Sequence, residues 1–338
     1  MINLAGLYCK EIEEILYPLP GYRAKQIYKW IIRGADNFDK MTDLPNSLRL
    51  ELSQRFSVLS SKIDSVHDDK DTKKIVIALN DGAKIEAVVL NDGKDRLTAC
   101  LSTQVGCPAG CVFCKTGTLG FLRNLNASEI VEQYLHIGKV NNIVIMGMGE
   151  PLLNLEQLRK AVCFFTDPKG MNFSRKRITV STCGIYEGIY NLAQHGPYIR
   201  LALSLTTADE NLRQKLMPVT KTQPLSKIKE ALILFQKNSG NRITLEIPLL
   251  GGVNTRKEDV LSIAEFAKGL ECVVNIIPWN PVIGLELEGK PLIEPGKNET
   301  AEFIKLLEQN KLKVTTRYKK GRGVSGACGQ LGVVPAAV

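Results

Sequence analysis

The chain has 338 residues and a net charge of +9, and 44% of its residues are hydrophobic. That is enough to bury a large core with a small accessory module, and mean hydropathy near zero fits a globular chain. No apolar run nears the roughly 20 residues that a membrane span needs, and the acidic, amphipathic start MINLAGLYCKEIEEILY does not suit a signal or transit peptide, so the cytosol is expected. The basic balance favours a polyanionic partner.

In chain order, residues 9–17, 22–33 and 46–56 show helical periodicity, punctuated by Pro18, Gly21 and Pro45. They form a helical module over residues 1–58, with Lys25, Lys29 and Arg33 as a basic group; it is read either as an RNA adaptor or as a packing cap. Residues 59–96 change character. KKIVIAL and KIEAVVL are strand-like runs separated by NDG at 80–82 and followed by NDG at 91–93, a hairpin signal. From residue 97 to about 320, strands expected at 97–103, 142–147, 176–182, 200–205, 243–249, 273–279 and 313–318 alternate with helices at 127–137, 155–165, 225–238, 256–269 and 298–310. Such alternation implies a parallel α/β sheet with helices outside, a partial (β/α)6 barrel whose site gathers at the C-terminal strand ends. A Gly-rich tail, residues 321–338, is expected to be flexible and to fold over the barrel mouth. Two further basic groups, Arg175/Lys176/Arg177 and Arg317/Lys319/Lys320/Arg322, are read as solvated faces or polyanion contacts.

The chemistry concentrates in QVGCPAGCVFCKTGTLGF, where Cys107, Cys111 and Cys114 are spaced C-x3-C-x2-C. Structural zinc wants four ligands, usually in two close pairs, and the only histidines, His67, His136 and His195, lie far off in sequence. Three thiolates suit a [4Fe–4S] cluster with one iron left open for chemistry. An apolar strand ending in GMGEP, Gly147 to Pro151, follows.

The cysteine motif, IVIMGMGEPLLN, ITVSTCG, IIPWNP and ACGQL occur in the order found in the radical S-adenosylmethionine enzymes, and the whole chain resembles the RlmN/Cfr family of 23S rRNA adenosine methyltransferases. The resemblance implies that Cys107, Cys111 and Cys114 hold a [4Fe–4S] cluster, and that Gly149, Glu150, Ser181, Ser204, Leu205, Thr206 and Asn280 contact S-adenosylmethionine, consumed two per turnover. It implies that Cys328 carries a methyl group, that Cys100 resolves the enzyme–RNA adduct by forming a disulfide, and that Glu86 accepts a proton. It implies 23S rRNA and tRNA as partners, an electron donor such as flavodoxin, no membrane and a monomer. Read from the residues alone, Cys328 is an incidental tail thiol, Cys100 a core-facing strand cysteine, and Glu86 either a buried carboxylate in an apolar strand that could serve as a general base or a solvent-facing one. The chain departs from the family pattern at Thr206, where histidine is usual, and at Gly323 and Val324, where an acidic residue and isoleucine often stand. The resemblance implies methylation at C2 of an adenosine in the 23S rRNA peptidyl-transferase region and in the tRNA anticodon loop, with the Cfr-type reaction at C8 as the alternative that the motifs do not separate; a metal-containing RNA-binding protein is the rival from another class.

Overall fold

The computed structural model describes residues 1–93, 96–316 and 320–333. Strand β1 (Ile2–Asn3) precedes helices α1 (Cys9–Leu16), α2 (Gly21–Ile32) and α3 (Asn46–Arg55), and pairs in parallel with β2 (Phe56–Ser57), so the ends of the helical module meet. The helices turn Ile12, Leu16, Ile27, Ile31 and Leu52 inward and leave Lys25, Lys29 and Arg33 exposed on α2. The buried carboxylate of Glu132, from helix α5 (Ala127–Ile137), ties this module down. It accepts from the backbone N–H groups of Ser60 (3.0 Å) and Ser61 (2.7 Å), and also from Asn3. Removing any one partner would leave a fully buried acceptor short.

Strands β3 (Lys62–Asp69), β4 (Thr72–Ala78), β5 (Lys84–Asn91) and β6 (Leu97–Leu101) form an antiparallel meander. A small antiparallel pair, β7 (Gln104–Gly106) and β8 (Phe121–Asn124), brackets α4 (Lys115–Thr118). After α5 come β9 (Asn142–Ile145), α6 (Leu155–Thr166), β10 (Ile178–Thr182), α7 (Tyr186–His195), β11 (Arg200–Ser204), α8 (Glu210–Leu216), α9 (Leu225–Ser239), β12 (Ile243–Leu249), α10 (Lys257–Ala267) and β13 (Cys272–Pro278). A two-residue hairpin, β14 (Glu286–Leu287) with β15 (Lys290–Pro291), leads to α11 (Lys297–Gln309) and β16 (Val314–Thr316).

One ten-stranded sheet runs in the order β16-β13-β12-β11-β10-β9-β6-β5-β4-β3. The seven strands from β6 to β16 are parallel, and the meander extends them at one edge. The barrel is therefore open, as expected of a partial one, with a mixed rather than wholly parallel sheet. Alternation places Ile143, Ile145, Val180, Leu201, Leu203, Leu245 and Ile247 in the hydrophobic core. The register pairs Cys100 with Val144, Val144 with Thr179, and Ser204 with Glu246, so these residues share the opposite face with Ser181.

The described part of the Gly-rich tail does cross the mouth, and it buries Ala327 and Leu331. Lys115 N–H donates to Gly329 O (2.8 Å), Thr116 Oγ1 to Leu331 O (2.5 Å), and Gln330 Nε2 to Pro281 O (3.0 Å). Of the last basic group, Arg317 and Lys319 lie outside the described residues. Arg322 is no solvated cation, because it pairs with Glu294 at 2.9 Å and donates to Asn280 Oδ1 at 2.9 Å.

Candidate active site

The loop of Cys107–Cys114 leaves β7 and is pinned at several points. Cys107 N–H donates to Gly120 O (2.8 Å), Val112 N–H to Leu216 O (3.0 Å), and Cys114 N–H to Cys111 O (3.2 Å). Gly117 has a steric reason to be glycine: a Cβ there would stand 2.7 Å from Cys111 O and 2.8 Å from Cys111 N. The three cysteines line one cavity at the C-terminal ends of the parallel strands. Burial pushes the Cys107 thiol up to about 12, and raises Cys111 and Cys114 as well. Among the described residues no three His, Cys, Asp or Glu side chains form a group that could hold a single metal ion. Three soft donors spread around a cavity wall suit a cluster, whose thiolate ligands sit on separate irons; the donor set fits a [4Fe–4S] group.

The GMGEP turn follows β9. Gly149 has φ +103°, and a Cβ on it would stand 2.6 Å from Gln104 Cβ. Glycine is thus required by packing of this turn on the start of the cysteine loop. Glu150 is buried, and both carboxylate oxygens are taken. Oε1 accepts from Leu152 N–H (2.9 Å) and Thr182 Oγ1 (2.7 Å), and Oε2 from Cys183 N–H (2.7 Å). Desolvation raises its pKa, and these bonds oppose the rise. The side chain braces the turn, leaving the main chain of Gly149 and Glu150 as the group offered to a ligand.

Ser181 and Ser204 face each other across β10 and β11, their hydroxyls 3.1 Å apart, and Ser181 Oγ donates to Glu246 Oε2 (3.0 Å). All three line the cysteine cavity. Leu205 and Thr206 do not: both are fully buried behind its wall. Thr206, at φ +64°, donates its N–H to Glu246 O (3.2 Å), and its Oγ1 has no hydrogen-bond partner among the described residues. Asn280 reaches the cavity but donates its Nδ2 to Cys328 O (3.2 Å), so it binds the tail.

Cys328 lies where two cavities adjoin. It lines the cysteine cavity and a second one of about 780 Å³, which Cys100 also lines. Glu86, on the face of β5 that leads to Val88 opposite Cys100, is buried, not solvent-facing. Its Oε1 lies 2.9 Å from Lys74 Nζ, and its Oε2 accepts from Gly332 N–H (2.6 Å). Sequence reading missed Glu246, Cys183 and Lys74. A charged residue inside an otherwise apolar strand, as in ITLEIPL and TKKIVIA, was the available signal for the two charged ones.

Parallel strands delivering a three-cysteine loop and a glycine turn to one mouth define a radical S-adenosylmethionine enzyme. A model described as the radical SAM superfamily matches residues 101–267, and one described as the ribosomal RNA large subunit methyltransferase N-terminal domain matches residues 2–58. The chain is 48% identical to a probable dual-specificity RNA methyltransferase RlmN of Treponema denticola, over 97% of this chain and 95% of that one. It is 44% identical to a protein of the same description from Treponema pallidum, covering 97% of each. Its fold matches the crystal structure of a radical SAM methyltransferase from Sphaerobacter thermophilus with TM-score 0.92 and 35% identity, over 98% of this chain and 99% of that one. The chain belongs to the RlmN family of radical SAM methyltransferases, which implies a [4Fe–4S] cluster and S-adenosylmethionine as its cofactors.

Proposed function

We propose that this protein methylates C2 of an adenosine in the 23S rRNA peptidyl-transferase region, and an adenosine in the tRNA anticodon loop, through a methyl-cysteine at Cys328. The observation that carries this reading is the double exposure of Cys328. Its residue lines both the cavity of the three cysteines and the cavity of about 780 Å³ that also holds Cys100. A carrier thiol between a cofactor pocket and a substrate pocket needs that position, and a site of this volume accepts a nucleotide.

Cys107, Cys111 and Cys114 would hold the cluster, and the main chain at Gly149–Glu150 with Ser181, Ser204 and Asn280 would surround S-adenosylmethionine. Together these cofactors supply one-electron reductive cleavage of a carbon–sulfur bond and hence a hydrogen-abstracting radical. The chain's own residues do the rest. The Cys328 sulfur takes a methyl group from one S-adenosylmethionine, with S-adenosylhomocysteine leaving, and the radical drawn from a second removes a hydrogen atom from that methyl group and departs as 5′-deoxyadenosine. A carbon carried on sulfur as a radical adds to adenine C2, a poor nucleophile that does not attack a sulfonium directly. Glu86 accepts the proton lost from the ring, for which Gly332 must first release Oε2. With the unpaired electron of the adduct passed back to the electron-transfer system, the Cys100 thiolate attacks the Cys328 sulfur, the displaced carbon takes up a proton to complete the product methyl group, and the disulfide left behind is reduced by two electrons from the reductant. A reductant such as flavodoxin, the cytosol and a monomeric enzyme complete the reading. The helical module presents Lys25, Lys29 and Arg33 to RNA phosphates.

Anaerobic turnover tests it, with reconstituted protein, S-adenosylmethionine, reductant and an rRNA fragment, read by mass spectrometry of the adenosine and of the Cys328 peptide. Methylated Cys328 together with 2-methyladenosine is expected. Product at C8 would move the enzyme to the Cfr reaction, and an intact cluster with no methyl-cysteine and no modified base would overturn the proposal.

A further inference from the structure

Arg213, on α8, is 1% exposed. Its Nε donates to Leu205 O (3.0 Å) and its Nη2 to Cys183 O (2.6 Å), while Nη1 is buried with no partner among the described residues. Arg123 and Arg322, which also reach inward, pair with carboxylates, Glu129 at 2.8 Å and Glu294 at 2.9 Å; Arg159 and Arg49 are less buried and bond main-chain carbonyls. Among the described residues no carboxylate lies within ion-pair distance of Arg213. A guanidinium does not shed its proton in a protein, and a buried cation without a counter-charge is costly. Glu210, on the same helix, acts on Arg213 electrostatically from beyond ion-pair distance, and its Oε1 is taken by Leu225 N–H (2.9 Å), so the carbonyls and this carboxylate offset the charge only in part.

The missing anion has an address. Helix α8 and the turn after it are hydrogen-bonded to the cysteine loop, through Val112 N–H to Leu216 O (3.0 Å) and Val219 N–H to Ala109 O (3.3 Å). Cys183, whose carbonyl Arg213 holds, lines the three-cysteine cavity. Neutral thiols give this cation nothing to neutralise, whereas a [4Fe–4S] group on three thiolates is an anion.

We infer that Arg213 is the internal counter-cation of the iron–sulfur centre, set behind the cavity wall at Cys183 with an N–H still to donate. It favours the loaded over the empty protein and, because reduction adds negative charge, the reduced over the oxidised cluster. Arg213 is a positioning and charge-compensating residue, since it acts through the cluster and not on the substrate. The inference rests on the cluster at Cys107, Cys111 and Cys114.

The test compares wild type, Arg213→Met and Arg213→Lys by melting of the apo forms, iron per chain after anaerobic reconstitution, and redox titration followed by electron paramagnetic resonance. Apo Arg213→Met is expected to melt no lower than the apo wild type, because it has lost an uncompensated charge. Its loaded form is expected to show about tenfold less reduced cluster relative to oxidised at a fixed potential, a midpoint lower by about 59 mV for a one-electron couple. Arg213→Lys keeps the charge and most of the wild-type midpoint. A fully loaded Arg213→Met with the wild-type midpoint would overturn the inference. Should the methionine variant not fold, the lysine variant decides. A retained midpoint supports compensation by charge, and a lost midpoint or lost fold assigns Arg213 to architecture alone. A wild type without a [4Fe–4S] signal would sink the cluster assignment itself, a result distinct from an unchanged midpoint.

Discussion

Replacing Lys74 with methionine tests how the tail is held over the mouth. The ammonium lies 2.9 Å from Glu86, and the two side chains are only 11% and 4% exposed. Truncating the cation leaves Glu86 buried with Gly332 N–H as its remaining partner in the pair of contacts described above. Breaking a buried pair from one side costs about 3–5 kcal/mol, because the surviving charge is left uncompensated. Partial exposure of Lys74 favours the lower end of that range. At about 2 °C per kcal/mol for a chain of this size, the melting temperature should fall by roughly 6 °C or more. The double variant Lys74→Met/Glu86→Leu should recover most of the loss, since two apolar groups of similar volume replace a desolvated pair. Melting by circular dichroism reads stability, and limited proteolysis near residue 320 reads release of the tail. A single variant melting within 1 °C of wild type, or a double variant no better than the single, would refute the reasoning.

Three other outcomes follow from the site and its supports. Gly117→Ala should impair iron uptake more than global stability, because a Cβ 2.7 Å from Cys111 O forces the cysteine loop apart at a cost of about 1–3 kcal/mol; iron per chain against melting temperature checks it, and normal iron content would contradict it. In a Trp30→Phe variant Trp279 is the sole tryptophan; it lines the cysteine cavity with its indole N–H bonded to Phe113 O (2.8 Å), so cluster loading should quench its fluorescence. Burial lowers the His136 pKa from 6.5, so the folded protein binds this proton less readily than the unfolded chain. The stability tied to neutral His136 is therefore present above pH 6.5 and lost as pH falls through the lower folded value. His136→Gln should flatten that acid limb, as melting curves between pH 5 and 8 would show.

The parts legible in sequence were those whose signal is local. The C-x3-C-x2-C loop, the GMGEP turn and the hairpin at Asp81-Gly82 follow from spacing and turn chemistry, and the apolar period of β9 to β13 follows from burial of one face. The elements that escaped were those whose reason lies elsewhere in the chain. Strand β3, KIDSVHDD, has no apolar face because it is the exposed edge of the sheet, where charges discourage further pairing. Helix α7 carries Gly188 in its interior because a Cβ there would meet Leu152 Cβ at 2.7 Å, a tertiary demand that overrides propensity.

Composition and motif order thus determined the class of chemistry and the end of the strands at which it gathers. Only the tertiary structure decided the state of each charged group. Glu86 met Lys74 and Gly332, Glu150 turned inward as a brace, Glu246 joined two serines, and Arg213 was left without an anion. Hydrophobic patterning is set by each residue's own transfer from water and repeats along the chain. The fate of a buried charge depends on partners tens or hundreds of residues away, and no local period records them.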